Sequence, residues 1–307
     1  MIRADGLEKR YGEFVAVAGS EFAAESGEIF GIVGPNGAGK TTTLKMLAGL
    51  VDPTAGEATV AGYDVDDPEM RRALGFLPEE SPLYENMTAR SYLSFFADLY
   101  DVPGDTAEQR IESTLDRLDL EHRDRRLGDV SKGMKRKVAI ARSLVNDPDV
   151  LVYDEPASGL DPLTTHEVLQ FVRELADDGK TVVFSAHNLY HVADLCDRVI
   201  VMNEGAIIAR GGVAEIREAH GQTTYRVSAT VELPESELAG DRHLVEVESL
   251  DAADAVRERV EEAGGEVIDV RTDEPSLEDV FLELTGKRSE HRRSGRTAES
   301  RGREGSR

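Results

Sequence analysis

Residues 34–41 read GPNGAGKT and satisfy the spacing G-x-x-x-x-G-K-[ST] at every required position. Residue types in that order do one kind of chemistry: they wrap a polyphosphate. Glycines let successive backbone N–H groups turn inward as an anion cradle. A helix opening at the end of the loop adds the positive end of its dipole. Lys40 brings a point charge for the β- and γ-phosphates, and Thr41 a hydroxyl for Mg²⁺. A glycine-rich turn can also cap a helix with no ligand at all, so context decides. Here the apolar run IFGIV (29–33) precedes the loop and a helical period, KTTTLKMLAGL (40–50), follows it. A second constellation is VLVYDEP, 150–156. Its apolar run delivers Asp154 and Glu155 side by side at the carboxyl end of a strand, where open α/β sheets bind ligands. Asp154 can hold Mg²⁺ through water, and Glu155 can polarise an attacking water as general base. An acidic pair at a strand end is common by itself. Beside a phosphate loop it points to nucleotide hydrolysis.

These groups need strands that end along one edge of a sheet. Residues 13–33 read as strands, GEATVAGYDV (56–65) as part of a hairpin, and 88–120 and 132–146 as largely helical. DVLVYDEP (149–156) and KTVVFSAHN (180–188) are short apolar strands followed by polar punctuation. RVIVMNEGAIIARG (198–211) reads as two strands around an Asn-Glu-Gly turn. Strands alternating with helices predict an α/β core with a mainly parallel sheet. After about residue 220 the pattern changes. TTYRVSATVEL and HLVEVESL alternate with period two, and AADAVRERVEEAGG is a helix closing on Gly264 and Gly265. EVIDVRT reads as a further strand, and SLEDVFLELTG as a last helix capped by Ser276. The chain thus divides into a domain over 1–220, a small α+β domain over 221–286, and a tail over 287–307 dominated by Arg, Ser, Gly and Glu, expected to be disordered.

Formal net charge is −24, from 60 acidic and 36 basic residues, which argues against wrapping a nucleic acid. The tail carries +5, leaving −29 for residues 1–286. Among the basic residues Arg predominates over Lys, and this acidic, lysine-poor balance fits a halophile's cytoplasm, where salt screens self-repulsion. With aromatic residues at 6% and no Trp, the core is expected to be aliphatic. The single Cys196 forms no internal disulfide and sits among Leu189, Val192 and Leu195, as a buried structural thiol does. The opening MIRADGLEKR has no signal-like apolar region, and no run nears the roughly 20 apolar residues of a spanning helix. The expectation is a soluble chain whose membrane work is done by a partner.

The order of phosphate loop, VSKGM (130–134), DEP (154–156), SGLDP (158–162) and SAHN (185–188) resembles the nucleotide-binding domains of ABC transporters over about residues 1–220. The resemblance implies a P-loop NTPase (RecA-like) core with antiparallel β and helical subdomains, and ATP with Mg²⁺ as ligands. It implies that Tyr11 stacks on adenine, that Gly34, Pro35, Asn36, Gly37, Ala38, Gly39, Lys40, Thr41 and Thr42 hold the phosphates, and that Thr41 and Asp154 hold the metal. Glu155 is then the general base, and His187 bonds the γ-phosphate and helps hold Glu155 and the water. LGFLPEE carries Glu79 where relatives carry Gln, and a carboxylate there can also ligate Mg²⁺ or orient water. The signature departs from Leu-Ser-Gly-Gly-Gln at Val130, Lys132 and Met134, but keeps Ser131, whose hydroxyl caps a helix, and Gly133; the resemblance implies that both meet the ATP of the opposite subunit. Asp161, with Ser158, runs along the dimer seam. Without the family, SKGMKRK reads as a basic helix start.

LGFLPEESPLYENMTARSYLSFFADLY, SKGMKRK and PSLEDVFLELTG look like the exporter branch, whose subunits pair with multi-span permeases of the ABC-2 type. The acidic composition resembles that of haloarchaeal members. The resemblance implies a homodimer on the cytoplasmic face of the membrane, held there by the permease, with no nucleic-acid partner. A soluble ABC ATPase acting on a ribosome or DNA usually needs two such domains or a long coiled-coil insertion, and neither is present. A non-catalytic regulator would lack Lys40, Glu155 or His187, and all three are present.

Overall fold

The computed structural model describes residues 1–221 and 223–285, apart from the side chain of His191. The tail expected to be disordered, 287–307, lies outside the described residues. The chain divides into one unit over residues 1–212 and a second beginning at Val213.

The first unit opens with β1 (Ile2–Tyr11) and β2 (Phe14–Ala24), an antiparallel hairpin. The sequence reading started its strands at residue 13 and missed β1. IRADGLEKRY looks charged because only alternate positions near its start are apolar: Ile2 and Ala4 are buried while Arg3 and Asp5 face solvent. β3 (Ile29–Val33) leads into α1 (Lys40–Leu47). β4 (Ala55–Val60) and β5 (Tyr63–Asp64) form the expected hairpin and extend the first sheet to the order β2-β1-β4-β5. The short α2 (Met70–Ala73) runs into β6 (Leu74–Leu77). The long helical stretch is α3 (Ala89–Leu99) and α4 (Gly104–Arg117), followed by α5 (Lys132–Arg142), and the three pack on one another. Thr88 starts α3 with a reciprocal capping box to Ser91.

β7 (Val150–Asp154), α6 (Pro162–Asp177), β8 (Thr181–Ala186), α7 (Leu189–Leu195), β9 (Arg198–Asn203) and β10 (Ala206–Gly212) complete the unit. The second sheet has the order β10-β9-β3-β8-β7-β6. It is parallel except for β10, which pairs antiparallel with β9 at one edge. β3, β7 and β8 are buried along their whole length, which is why they read as unbroken apolar runs with no alternation. α1 packs against strands of both sheets, and its Leu44, Met46 and Leu47 join Ile2, Leu7, Phe30, Ile32 and Val152 in one aliphatic-rich core. Cys196 is half-buried where a buried thiol was expected, and desolvation of the thiol raises its pKa.

The second unit begins with α8 (Val213–His220) and continues through β11 (Thr224–Ala229), β12 (Glu237–Ala239), β13 (Arg242–Val247), α9 (Leu250–Glu262), β14 (Val267–Asp273) and α10 (Leu277–Leu284). Its antiparallel sheet, in the order β12-β13-β11-β14, is covered by α9 through Ala253, Val256 and Val260. Ser276 caps α10 as the sequence suggested. The boundary falls at 212 and not at 220, because α8 buries Val213 and Ile216 and packs against α10.

Candidate functional site

The phosphate loop joins the carboxyl end of β3 to the first turn of α1. Its glycines are set by close approach as well as by conformation. A β-carbon on Gly34 would stand 2.2 Å from the Met202 carbonyl oxygen, and one on Gly39 would stand 2.5 Å from that of Ala16. Gly39, at φ 102°, is the N-cap of α1. The Ala38 N–H donates to the Pro35 carbonyl at 3.2 Å and the Gly205 N–H to the Ala38 carbonyl at 3.0 Å, so the loop is tied both to itself and to the β9–β10 turn. Asn36 and Gly37 are exposed, and Thr41 and Thr42 are half-buried on the first turn of α1. The Lys40 ammonium is buried and donates to the carbonyls of Gly34 at 2.9 Å and Pro35 at 3.2 Å.

Lys40 also reaches the second constellation: its Nζ lies 3.6 Å from Oε1 of Glu155. Asp154 ends β7 and is buried. Glu155, one residue past the strand, takes φ +50°, a left-handed conformation that a residue with a β-carbon holds only when its surroundings enforce it. Part of that enforcement comes from the neighbouring strand. Asp154 and Ser185 are register partners across β7 and β8. The Ser185 hydroxyl donates to Oδ1 of Asp154 at 2.6 Å and accepts the Glu155 N–H at 3.0 Å. Two residues on, Nδ1 of His187 lies 2.8 Å from Oε2 of Glu155. An ionised carboxylate only accepts, so this contact puts the ring proton on Nδ1. Lys40, Glu155 and His187 therefore form one polar chain at the carboxyl end of the parallel sheet.

α5 abuts the carboxylate segment through Arg136. Ser131 is its N-cap and accepts the Met134 N–H at 3.2 Å. Gly133 has a reason to be glycine within its own chain: a β-carbon would stand 2.9 Å from Cγ2 of Thr164. Thr164 lies in the first turn of α6, capped by Asp161, whose carboxylate accepts the Thr164 N–H at 3.0 Å and hydroxyl at 2.7 Å. The backbone bond from Thr164, then the hydroxyl bond, lowers the Asp161 pKa. Signature and SGLDP segments are thus packed together. The Glu79 side chain is exposed, while its carbonyl is bound by Arg136. Tyr11 is half exposed at the end of β1, with the Lys9 ammonium 5.3 Å from its ring centroid.

Two buried polar groups of the site escape a sequence reading. Ser185 is an unremarked residue of an apolar strand. Arg136 lies in what reads as a solvated basic run, yet it is buried and donates to Pro78, Glu79, Asp154, Glu155 and Pro156 carbonyls at 2.7–2.9 Å. Burial pushes its pKa down to about 10, against the raising effect of Asp154, Tyr153 and Glu79.

Residues 17–158 match the family model described as ABC transporter, and residues 211–285 match the one described as ATP-binding protein DrrA1-3-like, C-terminal domain. The chain is 32% identical over 307 residues to the linearmycin resistance ATP-binding protein LnrL of Bacillus subtilis, covering 94% of this chain and 99% of that protein. It is 35% identical over 295 residues to the Nod factor export ATP-binding protein I of Burkholderia lata, covering 92% and 95%. A solved dimeric ATP-binding cassette, described as a post-hydrolysis state bound to ADP and Pi, is similar with a TM-score of 0.63 at 27% identity, covering 69% of this chain and 98% of that one. Phosphate loop, adjoining carboxylates and capped signature helix thus stand in a fold shared with nucleotide-hydrolysing cassettes, and the chain belongs to the ATP-binding, ATP-hydrolysing subunits of ABC transporters.

Proposed function

We propose that this chain energises a membrane exporter of the ABC-2 type, as a homodimer that closes on two ATP molecules and reopens after hydrolysis. The observation that carries the reading is the polar chain Lys40–Glu155–His187, which joins the phosphate loop to the carboxylate strand. Full-length similarity to subunits named for export and for antibiotic resistance supports the direction of transport. ATP lies between residues 34–42 of one copy and Ser131 and Gly133 of the other, with Tyr11 stacked on adenine and Asp161 at the seam. Glu155 accepts a proton from the attacking water. His187 holds Glu155 by its Nδ1 proton and offers Nε2 to the γ-phosphate side. Thr41, Asp154 and Glu79 make an all-oxygen donor set, which fits a hard cation such as Mg²⁺. Bound there, that ion neutralises charge developing on the phosphates.

No helix among the described residues is long and apolar enough to cross a membrane. In this reading a multi-span permease places the subunit at the cytoplasmic face. The cargo class is drug, lipid, polysaccharide or ion. Co-expression with a multi-span permease of the ABC-2 type tests the proposal: the two should co-purify, and cargo should stimulate Mg²⁺-dependent ATP hydrolysis. A chain that binds no such protein and co-sediments with ribosomes instead overturns it.

The permease contact is proposed at the loop before α3. Tyr84 is 56% exposed, and its ring stands edge-on to Tyr92 and Phe95, with centroids 5.8 and 5.9 Å away. Phe95 is itself exposed, so the pair forms an aromatic ridge. Leu83 beside it is half-buried. Tyr84→Asp is expected to leave the subunit folded and able to bind ATP. It should weaken the permease complex about 10-fold or more, the usual cost of losing an aromatic anchor. Leu83→Asp should do the same with some loss of stability. Circular dichroism and pull-down check this: a folded Tyr84→Asp subunit that co-purifies at full strength removes the contact.

High salt is the proposed working medium. A net −29 over residues 1–286 repels itself when the Debye length is about 10 Å, near 0.1 M salt, and hardly at all when it is about 3 Å, near 1 M. The melting temperature and the ATP-dependent dimer should both rise from low to molar KCl. A flat melting temperature across that range excludes a halophilic adaptation.

A further inference from the structure

The guanidinium of Arg136 spends its donors in an unusual way. Its Nε donates to the Pro156 carbonyl at 2.8 Å, Nη1 to Pro78 at 2.8 Å and Glu79 at 2.9 Å, and Nη2 to Asp154 at 2.9 Å and Glu155 at 2.7 Å. The Ser81 hydroxyl stands farther off, at 3.5 Å. The five N–H groups of the fork thus meet five main-chain carbonyls, and none of these acceptors is a carboxylate. Three of the carbonyls are consecutive, 154–156, and bracket the residue with φ +50°. Glu155 is then fixed from every side. Its N–H goes to Ser185, its carbonyl takes Nη2 of Arg136 and the Ser158 N–H at 3.1 Å, and its carboxylate meets His187 and Lys40.

We propose that Arg136 is a positioning residue for hydrolysis: it holds the Glu155 backbone in its left-handed conformation and ties the segment carrying Glu79 to the helix that begins at Ser131. A surface ion pair would serve only stability. A buried cation saturated by backbone acceptors fixes geometry, because water cannot replace the bonds it makes and a lysine, with three donors on one nitrogen, cannot meet five carbonyls. Arg136 makes no hydrogen bond to residues 34–42, where the loop and Lys40 bind phosphate. ATP affinity should therefore be insulated from it. The rate of the chemical step should not be, since a misplacement of about 1 Å at a general base can cost about 100-fold.

The inference rests on Glu155 acting as the general base. The test uses the full chain with Arg136→Lys and Arg136→Gln, each also combined with Glu155→Gln. Thermal melting reports the fold, calorimetric titration the ATP affinity, and steady-state hydrolysis kcat and KM. Expected are folded variants with ATP Kd within about threefold of wild type and kcat lowered about 10- to 100-fold. In the Glu155→Gln background the Arg136 substitutions should add little further loss, because a residue acting through Glu155 has nothing left to position. Wild-type kcat in a folded variant overturns the assignment. So does a loss of equal size with and without Glu155, or failure of both variants to fold. Undiminished hydrolysis in Glu155→Gln alone defeats the reading of Glu155 itself, a result separable from any obtained with Arg136.

Discussion

Glu155→Gln is expected to bind ATP, to stop hydrolysing it, and to accumulate as an ATP-bound dimer. Glutamine keeps the shape of the side chain, and its amide oxygen can still accept the His187 Nδ1 proton that now meets Oε2 at 2.8 Å. What it lacks is basicity, and loss of a positioned general base lowers turnover by about 10²- to 10⁴-fold. Binding should not suffer. Removing a carboxylate from beside the polyphosphate relieves a like-charge repulsion, so affinity is held or increased. Light scattering with and without ATP, alongside phosphate release, makes the measurement. A monomeric mutant with full turnover removes Glu155 from the mechanism.

Lys40→Ala should fail at the earlier step. In the proposed reading the ammonium contacts phosphate in the ground state, and charge-assisted bonds of that kind contribute about 1.5–3 kcal/mol. The expected loss of ATP affinity is thus about 10- to 100-fold by titration calorimetry. The structure adds a second contribution. Lys40 satisfies the Gly34 and Pro35 carbonyls and lies 3.6 Å from Glu155, all in a buried setting. Its removal leaves those acceptors and the carboxylate without their cation, so the loop should loosen as well. Equal affinity in mutant and wild type contradicts the ground-state contact.

What was legible in the sequence is what is local. The strand–loop–helix of the phosphate loop, the paired carboxylates at a strand end and the cap at Ser276 each need only a few consecutive residues, and the structure places each of these segments where the sequence puts it; the cap at Asp161 went unread. The signature helix begins at Ser131, as its cap suggested. Groups whose partners lie far along the chain could not be read. Arg136 bonds residues 18–20 positions later and 57–58 positions earlier, and in isolation SKGMKRK is a row of cations for solvent. Ser185 gains its role only through the β7–β8 register, a tertiary fact. β1 was lost because a half-exposed strand with charged alternate positions dilutes the apolar signal. α8 was assigned to the wrong unit because its amphipathic stripe does not say which neighbour it faces.

The seating of the phosphate loop bears on how a mutational scan of this protein should be interpreted. At Gly34 and Gly39 even alanine collides with a main-chain carbonyl of β9 or β2, so inactive variants there would report a displaced wall and say nothing about the nucleotide. Gly37 is different: at φ 82° it has open space around a would-be β-carbon. An L-alanine there puts its methyl group into that open space, so its cost is the strain of a positive φ with no collision. Position 37 is therefore where the conformational demand of the loop can be measured apart from the collisions met at Gly34 and Gly39.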